Sequence, residues 1–218
     1  MKLKWILTVV FAVVLLMGCS MGANGGMWQG SVSNGDASKA TVKKDVKIGK
    51  FNKIEASSGI QVVFTQGSHT GVAKVATTPS AEKYLKIGVD GGTLEISYAS
   101  HKENIYGPTI VSVQAPDLME IELSSAAFVQ INGNLKIRKK LDIELSSASS
   151  VSARNVTGEE LDIELSSASA VNISNVNLDV LKIDLSSAST CSIKNVTAVR
   201  MNIDTSSSSK CDVKSFNG

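Results

Sequence analysis

Proline is scarce in this 218-residue sequence, at three residues, and aromatic side chains make up only 5% of it. With 43% apolar and 19% charged residues, that balance excludes a collagen-like chain, a coiled coil and wholesale disorder. Three cysteines and two histidines leave little material for a disulfide framework or for imidazole chemistry. No apolar run reaches the roughly 20 residues that a membrane-spanning helix needs. The net charge of +2 lacks the strong basic field that phosphate neutralisation requires, so nucleic acid is not an expected partner. The length allows one or two ordinary globular domains.

What is present begins with an address. Lys2 and Lys4 precede an apolar run from Trp5 to Met17, followed at once by Gly18-Cys19, the order of a secretory signal. Leu16-Met17-Gly18-Cys19 resembles a bacterial lipobox, although Met17 stands where a small residue is usual. That resemblance implies a signal peptide over 1–18 and a lipidated Cys19, with the membrane as a partner through the anchor. Residues 19–40 are rich in Gly, Ser and Asn without hydrophobic periodicity and are expected to be a flexible tether.

Repeats decide the fold. LDIELSSASS from Leu141, LDIELSSASA from Leu161, LKIDLSSAST from Leu181 and MNIDTSSSSK from Met201 recur with a period of 20 residues and no gap. An earlier copy begins at Met119 with two extra residues before Leu141, and Ile54-Glu55-Ala56-Ser57-Ser58-Gly59 is a more diverged one. Leu141, Ile143 and Leu145 alternate with Asp142 and Glu144, the period-2 pattern of a strand with one buried face, and helix is excluded. Twenty residues at about 3.3 Å each trace a closed path of roughly 65 Å, one coil of a parallel β-helix. About five buried aliphatics per copy yield on the order of 10 kcal/mol, whereas ordering a copy costs at least about 20, so one coil cannot fold alone. Stacked coils should form ladders, with Ile121/Ile143/Ile163/Ile183/Ile203 inside and Asn155/Asn175/Asn195 at a corner.

The preceding part, 41–118, lacks the strict period but keeps strand-like runs, and we expect β-structure continuous with the coils of 119–218. Asp90-Gly91-Gly92 is a hairpin signal, and a short helical turn is expected from Pro79 to Leu85, with Pro at its start. FNKIEASSGIQVVFTQG, TLEISYA and the repeated IELSSASS ladders behind a lipobox resemble the bacterial family called putative auto-transporter adhesin, head GIN domain. The resemblance spans about Lys47 to Phe216 and implies an all-β, right-handed parallel β-helix on an exported protein. No Gly-Ile-Asn tripeptide is present, so no binding residue transfers from the family name.

Outward positions of the first strand face carry carboxylates, among them Asp142, Glu144, Asp162, Glu164 and Asp184, the candidate binding face. Stacking sets like charges about 5 Å apart, which costs stability unless cations screen them. A Ca²⁺-binding stripe would use such oxygens, but no Gly-rich Asp loop accompanies them, and no metal or cofactor is expected. Paired carboxylates at that spacing also suggest a polysaccharide-degrading enzyme. Repeated positions give near-identical environments, however, and do not separate an acid from a nucleophile. His69 and His101 lie outside the repeats, so the many serines have no evident base, and Ser146/Ser147/Ser149 with their copies are expected to satisfy a stacked turn. His69, in Gly-Ser-His-Thr-Gly, is expected to be exposed and idle. Arg154, Lys194 and Lys214 form a basic row on another face, and Lys136–Lys140 is a dense basic cluster at the two-residue insertion. Cys191 and Cys211, one period apart, should be stacked core thiols, because parallel neighbours hold Cβ atoms wider than the roughly 3.8 Å a disulfide prefers.

The expectation is therefore a non-enzymatic outer-membrane lipoprotein on the cell surface or the periplasmic face. It would present a coil face to a glycan or cell-surface ligand, with self-association open at the edge near Phe216. The competing expectations are a polysaccharide-degrading β-helix and a periplasmic structural lipoprotein.

Overall fold

In the computed structural model, residues 40–99 and 107–217 are described, all within one of the two units into which the chain divides, 33–218. The expected signal, the Cys19 anchor, the tether as far as residue 39 and His101 lie outside the described residues.

The repeats fold as their alternation requires. β9 (Phe128–Leu145), β10 (Ser150–Leu165), β11 (Ala170–Leu185), β12 (Thr190–Thr205) and β13 (Lys210–Asn217) stack in chain order, parallel and in register. Between β10 and β11 the pairing is interrupted at Arg154/Ser174 and Glu159/Asp179, which divides each coil into three straight segments with corners between them. Inward residues of all three segments form one continuous aliphatic core. Val151, Val156, Leu161, Ile163 and Leu165 each have a counterpart stacked above and below, so burial is delivered by the neighbouring coils.

The repeat coils turn through Ser-Ser-Ala-Ser or a close variant, whose middle pair adopts left-handed backbone, as in Ser147 (φ 52°) and Ala148 (φ 63°). The same pair recurs at Ser125/Ala126, Ser167/Ala168, Ser187/Ala188 and Ser207/Ser208. Left-handed residues other than glycine cost about 1–2 kcal/mol each, so a turn costs about 2–4. Three hydrogen bonds at roughly 1 kcal/mol apiece offset this. Ser149 N–H donates to Ser146 O (3.1 Å), Ala148 N–H to Ser167 O of the next coil (2.9 Å), and the buried Ser149 hydroxyl to Leu123 O of the previous one (3.0 Å). Ser169, Ser189 and Ser209 repeat that hydroxyl bond at 3.1–3.2 Å. The serines are therefore fixed by the turn, as their recurrence indicates. The asparagine corner is also a ladder: Asn155, Asn175 and Asn195 donate successively to Asn134, Asn155 and Asn175 at 2.6–2.7 Å.

Three expectations are corrected. The two extra residues before Leu141 do not form one insertion; β9 takes one between Ile131 and Asn134 and one between Ile137 and Lys140, where the partner strand turns corners. A corner has no pairing to break, so it swells at lower cost than a segment. Gly158 lies beside the second swelling with φ 137°, and a Cβ there would sit 2.0 Å from Ile137 O, which only glycine avoids. The inner isoleucine ladder holds as far as Ile183 (1% exposed), but Ile203 is 37% exposed because no described coil covers it. His69 is half-buried rather than exposed: its ring stands edge-on to Phe51 at 6.1 Å, with Nδ1 enclosed and without a hydrogen-bond partner among the described residues.

The remaining half is β-structure, as expected, but its stacking order differs from its chain order. β2 (Lys53–Ala56) and β3 (Gln61–Gln66) form a coil lying between the coil of β8 (Glu120–Leu123) and β9 and the coil of β6 (Thr93–Tyr98) and β7 (Ile110–Ala115). Antiparallel strands close that end: β4 (Val72–Thr77) lies on β7, β1 (Val42–Lys47) on β4, and β5 (Leu85–Asp90) on β6. The β5–β6 hairpin turns at Gly91 (φ 54°) and Gly92 (φ 87°), the positive pair that a two-residue turn needs. The short helix Pro79–Glu82 is capped by the Thr78 hydroxyl.

Candidate functional site

Two rows of outward side chains run along the coil segment that holds Leu161, Ile163 and Leu165. One row reads, from the closed end, Thr93, Lys53, Glu120, Asp142, Asp162, Lys182, Asn202. The other reads Glu95, Glu55, Glu122, Glu144, Glu164, Asp184, Asp204: seven carboxylates in unbroken register.

The rows differ in how their charge is met. In the first, Lys53 pairs with Glu120, Lys140 reaches both Asp142 (2.6 Å) and Asp162 (3.2 Å), and Lys182 reaches Glu160 (2.8 Å). The Asp142 hydrogen bond, joined by Asp162, raises the Lys140 ammonium pKa above its ordinary value, and Lys182 holds the Glu160 carboxyl below the usual carboxylate range. In the second row no described lysine or arginine pairs with any of the seven carboxylates. Burial, and then the neighbouring carboxylates, push the Glu122 and Glu144 carboxyls up.

The predicted binding face is thus divided. Glu144, Glu164 and Asp184 stand exposed in the unpaired row, whereas Asp142 and Asp162 are tied to Lys140. Lys140 belongs to the basic cluster expected at the insertion, and its charge is already engaged by that pair. Glu55 and Glu95 extend the row beyond the sequence expectation. Glu55 was findable through the diverged copy at Ile54, but Glu95 sits in a coil without the Ser-Ser turn and next to a strand distant in sequence.

A groove of about 540 Å³ follows the unpaired row from Glu122 to Asp204. Its other wall is the first serine of each turn, Ser146, Ser166, Ser186 and Ser206. Carboxylates accept hydrogen bonds and hydroxyls both accept and donate, so the groove offers a periodic array to polyhydroxylated or cationic groups. Stacked side chains point the same way and do not converge, and among the described residues no three His, Cys, Asp or Glu groups are placed to hold a metal ion. Arg154, Lys194 and Lys214 lie exposed at a different corner of the coils.

The described residues thus define a β-solenoid, with stacked parallel coils of about 20 residues and a polar groove along one of their faces. Within that class, the chain belongs to the family described as "Putative auto-transporter adhesin, head GIN domain", which matches residues 50–217. The fold is shared with solved structures. A putative adhesin from Parabacteroides distasonis ATCC 8503 superposes with a TM-score of 0.74 at 19% identity, covering 80% of this chain and 76% of that one. A putative lipid binding protein from the same organism gives 0.57 at 14% identity, over 81% and 96% of the two chains. A putative adhesin from Bacteroides fragilis NCTC 9343 gives 0.54 at 15% identity, over 81% and 96%. No curated protein matches the sequence. Among the described residues no helix is long and apolar enough to cross a membrane.

Proposed function

We propose that this chain is a non-enzymatic contact module of the bacterial cell envelope, held at the outer membrane by a lipid on Cys19, that meets a glycan or another cell-surface ligand through its acidic groove. The observation that carries this reading is the row of seven carboxylates, without a cationic partner among the described residues, beside a neutralised row. A face built only for solubility is served by mixed signs, as in the adjacent row. Stacking seven like charges without counterions opposes folding, and the arrangement gains a use when a ligand supplies the missing donors or positive charge. The hydrogen-bonded coils hold the array rigid, so little ordering cost accompanies binding.

The family and its solved relatives are described as adhesins or lipid-binding proteins, which supports a role without catalysis. The chemistry agrees. A glycosidase pair needs two carboxyls driven apart in pKa, whereas Glu122 and Glu144 are pushed in the same direction by the same causes.

The reading is tested with a variant carrying Glu144→Lys, Glu164→Lys and Asp184→Lys, beside a neutral one carrying Glu144→Gln, Glu164→Gln and Asp184→Asn. Both should lower binding to host cells or to a glycan array by about tenfold or more, the scale of losing one or two charge-assisted contacts. Reversal of Arg154 and Lys194 should leave binding intact. Equal binding by all variants would remove the groove from the function. Protease treatment of intact cells should shave off the domain after Ala40 while a periplasmic control survives. Protection of the domain would instead favour a periplasmic structural lipoprotein.

A further inference from the structure

The inner column that begins with Val111, Val62, Val129, Val151 and Val171 is valine in every coil until the last two, where it becomes Cys191 and then Cys211. The two cysteines are in-register neighbours on parallel strands β12 and β13, and both are free thiols. Their environments differ. Cys191 has no exposed surface, whereas Cys211 is partly exposed because no described coil covers β13. Each thiol acts on the other's ionisation: the neighbouring Cys191 holds the Cys211 thiol below its ordinary value, while Cys211 and burial push the Cys191 thiol up. One sulfur is thus accessible to an attacking disulfide, and a second lies behind it, shielded from solvent.

We propose that Cys191 and Cys211 are a redox-active dithiol that exchanges with low-molecular-weight disulfides, Cys211 attacking and Cys191 resolving. The Cys211 thiolate attacks one sulfur of the external disulfide, forming a mixed disulfide and expelling one thiolate. Cys191 then gives up its proton and attacks the Cys211 sulfur, forming the Cys191–Cys211 bond and expelling the second thiolate. The protein loses two electrons and two protons, and the external disulfide is reduced to two thiols. The reduced pair is the resting form, because parallel in-register neighbours hold their Cβ atoms wider than the roughly 3.8 Å of a relaxed disulfide. β13 can make up the difference, since among the described residues it pairs on one side only, with β12. A bond closed in that way is strained, and strained disulfides are easily reduced, so the pair works as a reversible clasp on the terminal coil rather than as a fixed staple.

The test uses the full chain and oxidised glutathione. Samples are quenched in acid over time, digested with trypsin without reduction and mapped by mass spectrometry, which separates the peptide ending at Lys194, the peptide Cys211–Lys214 and any peptide containing Cys19. A glutathione adduct should appear first on Cys211, followed by a linked pair of peptides, and reduced glutathione should reopen the link. Cys191→Ser should stop at the Cys211 adduct. Cys211→Ser should leave Cys191 unmodified in the folded protein, although Cys191 reacts with an alkylating agent once the protein is unfolded. Cys211→Ala, which removes the sulfur without adding a hydroxyl, should give the same result. An adduct that stays on Cys211 in the wild-type protein, modification of Cys191 first, or no reaction at either thiol would each overturn the proposal.

Discussion

Ile163 and Ile203 occupy the same place in the same repeat, yet one is fully enclosed and the other is 37% exposed. The contrast extends along the coil. Leu165 and Ser169 are buried, whereas Thr205 is exposed and Ser209 half-covered. Ile and Ser are unchanged at two of these positions, while Thr205 replaces Leu165, and the backbone turn is the same at both places, with φ near 52° and 62°. For the isoleucine and the serine, burial is therefore set by whether a coil lies on each side, which the residue itself does not record.

The sharpest way to break that contrast is to truncate the same side chain at both places. Ile163→Ala should lower the unfolding free energy by about 2–5 kcal/mol, while Ile203→Ala should cost less than about 1, because solvent already reaches it. Denaturant titration of the two variants measures the difference, and equal losses would mean that something covers the terminal coil in solution. The buried hydroxyls give a smaller version of the comparison. Ser169→Ala removes one donor to Leu145 O, which keeps the Ser166 N–H, so the loss should be about 0.5–1.5 kcal/mol. Ser209→Ala should cost less still, since water can replace its bond to Leu185 O.

The smallest effects belong to the acidic rows. Glu122 and Glu144 have carboxyls raised above 4.5 in the folded state. Their ionisation opposes folding at neutral pH, and that opposition is lifted as the pH falls through the raised values. Glu160, lowered by Lys182, has the opposite sign: its contribution is present above 4.5 and is lost as the pH falls through its lowered value. Melting temperature followed against pH should thus show a gain on acidification that Glu144→Gln diminishes, and a loss that Glu160→Gln diminishes. Added salt at neutral pH should raise the wild-type melting temperature more than that of the Glu144→Gln, Glu164→Gln double variant, because screening relieves the unpaired row. A melting temperature insensitive to salt in both proteins would show that the row is already neutralised.

The coils were legible in the sequence because a gapless 20-residue period makes each neighbour's register explicit. The inner ladder, the asparagine corner, the serine turn and the outward carboxylates all follow from that one period. What was not legible depends on partners far away in the chain. Nothing local in Lys53–Gln66 says that it pairs with Glu120–Leu123 on one side and with Thr93–Tyr98 on the other. The division of the acidic face was equally hidden, since Lys140 stands in register with Glu160 and the period does not record that its side chain reaches Asp142 and Asp162. His69 reads as a turn residue until Phe51 folds against it.

The coil laid down out of order sets a timetable for folding. In a plain solenoid each coil can settle on the one before it as the chain emerges, so growth runs in one direction. Here the β2–β3 coil has both its neighbours still to come: β6 and β7 follow it in the chain, and β8 and β9 follow those. Its apolar faces must wait for loops of tens of residues to close, and such long-range closure is slow. The repeats at the other end face no such delay and can zip along their neighbours once a seed exists. A chain stopped short of Leu145 therefore has its most awkward joinery to complete and few repeats to lean on, which makes the later coils a scaffold against which the earlier half is assembled.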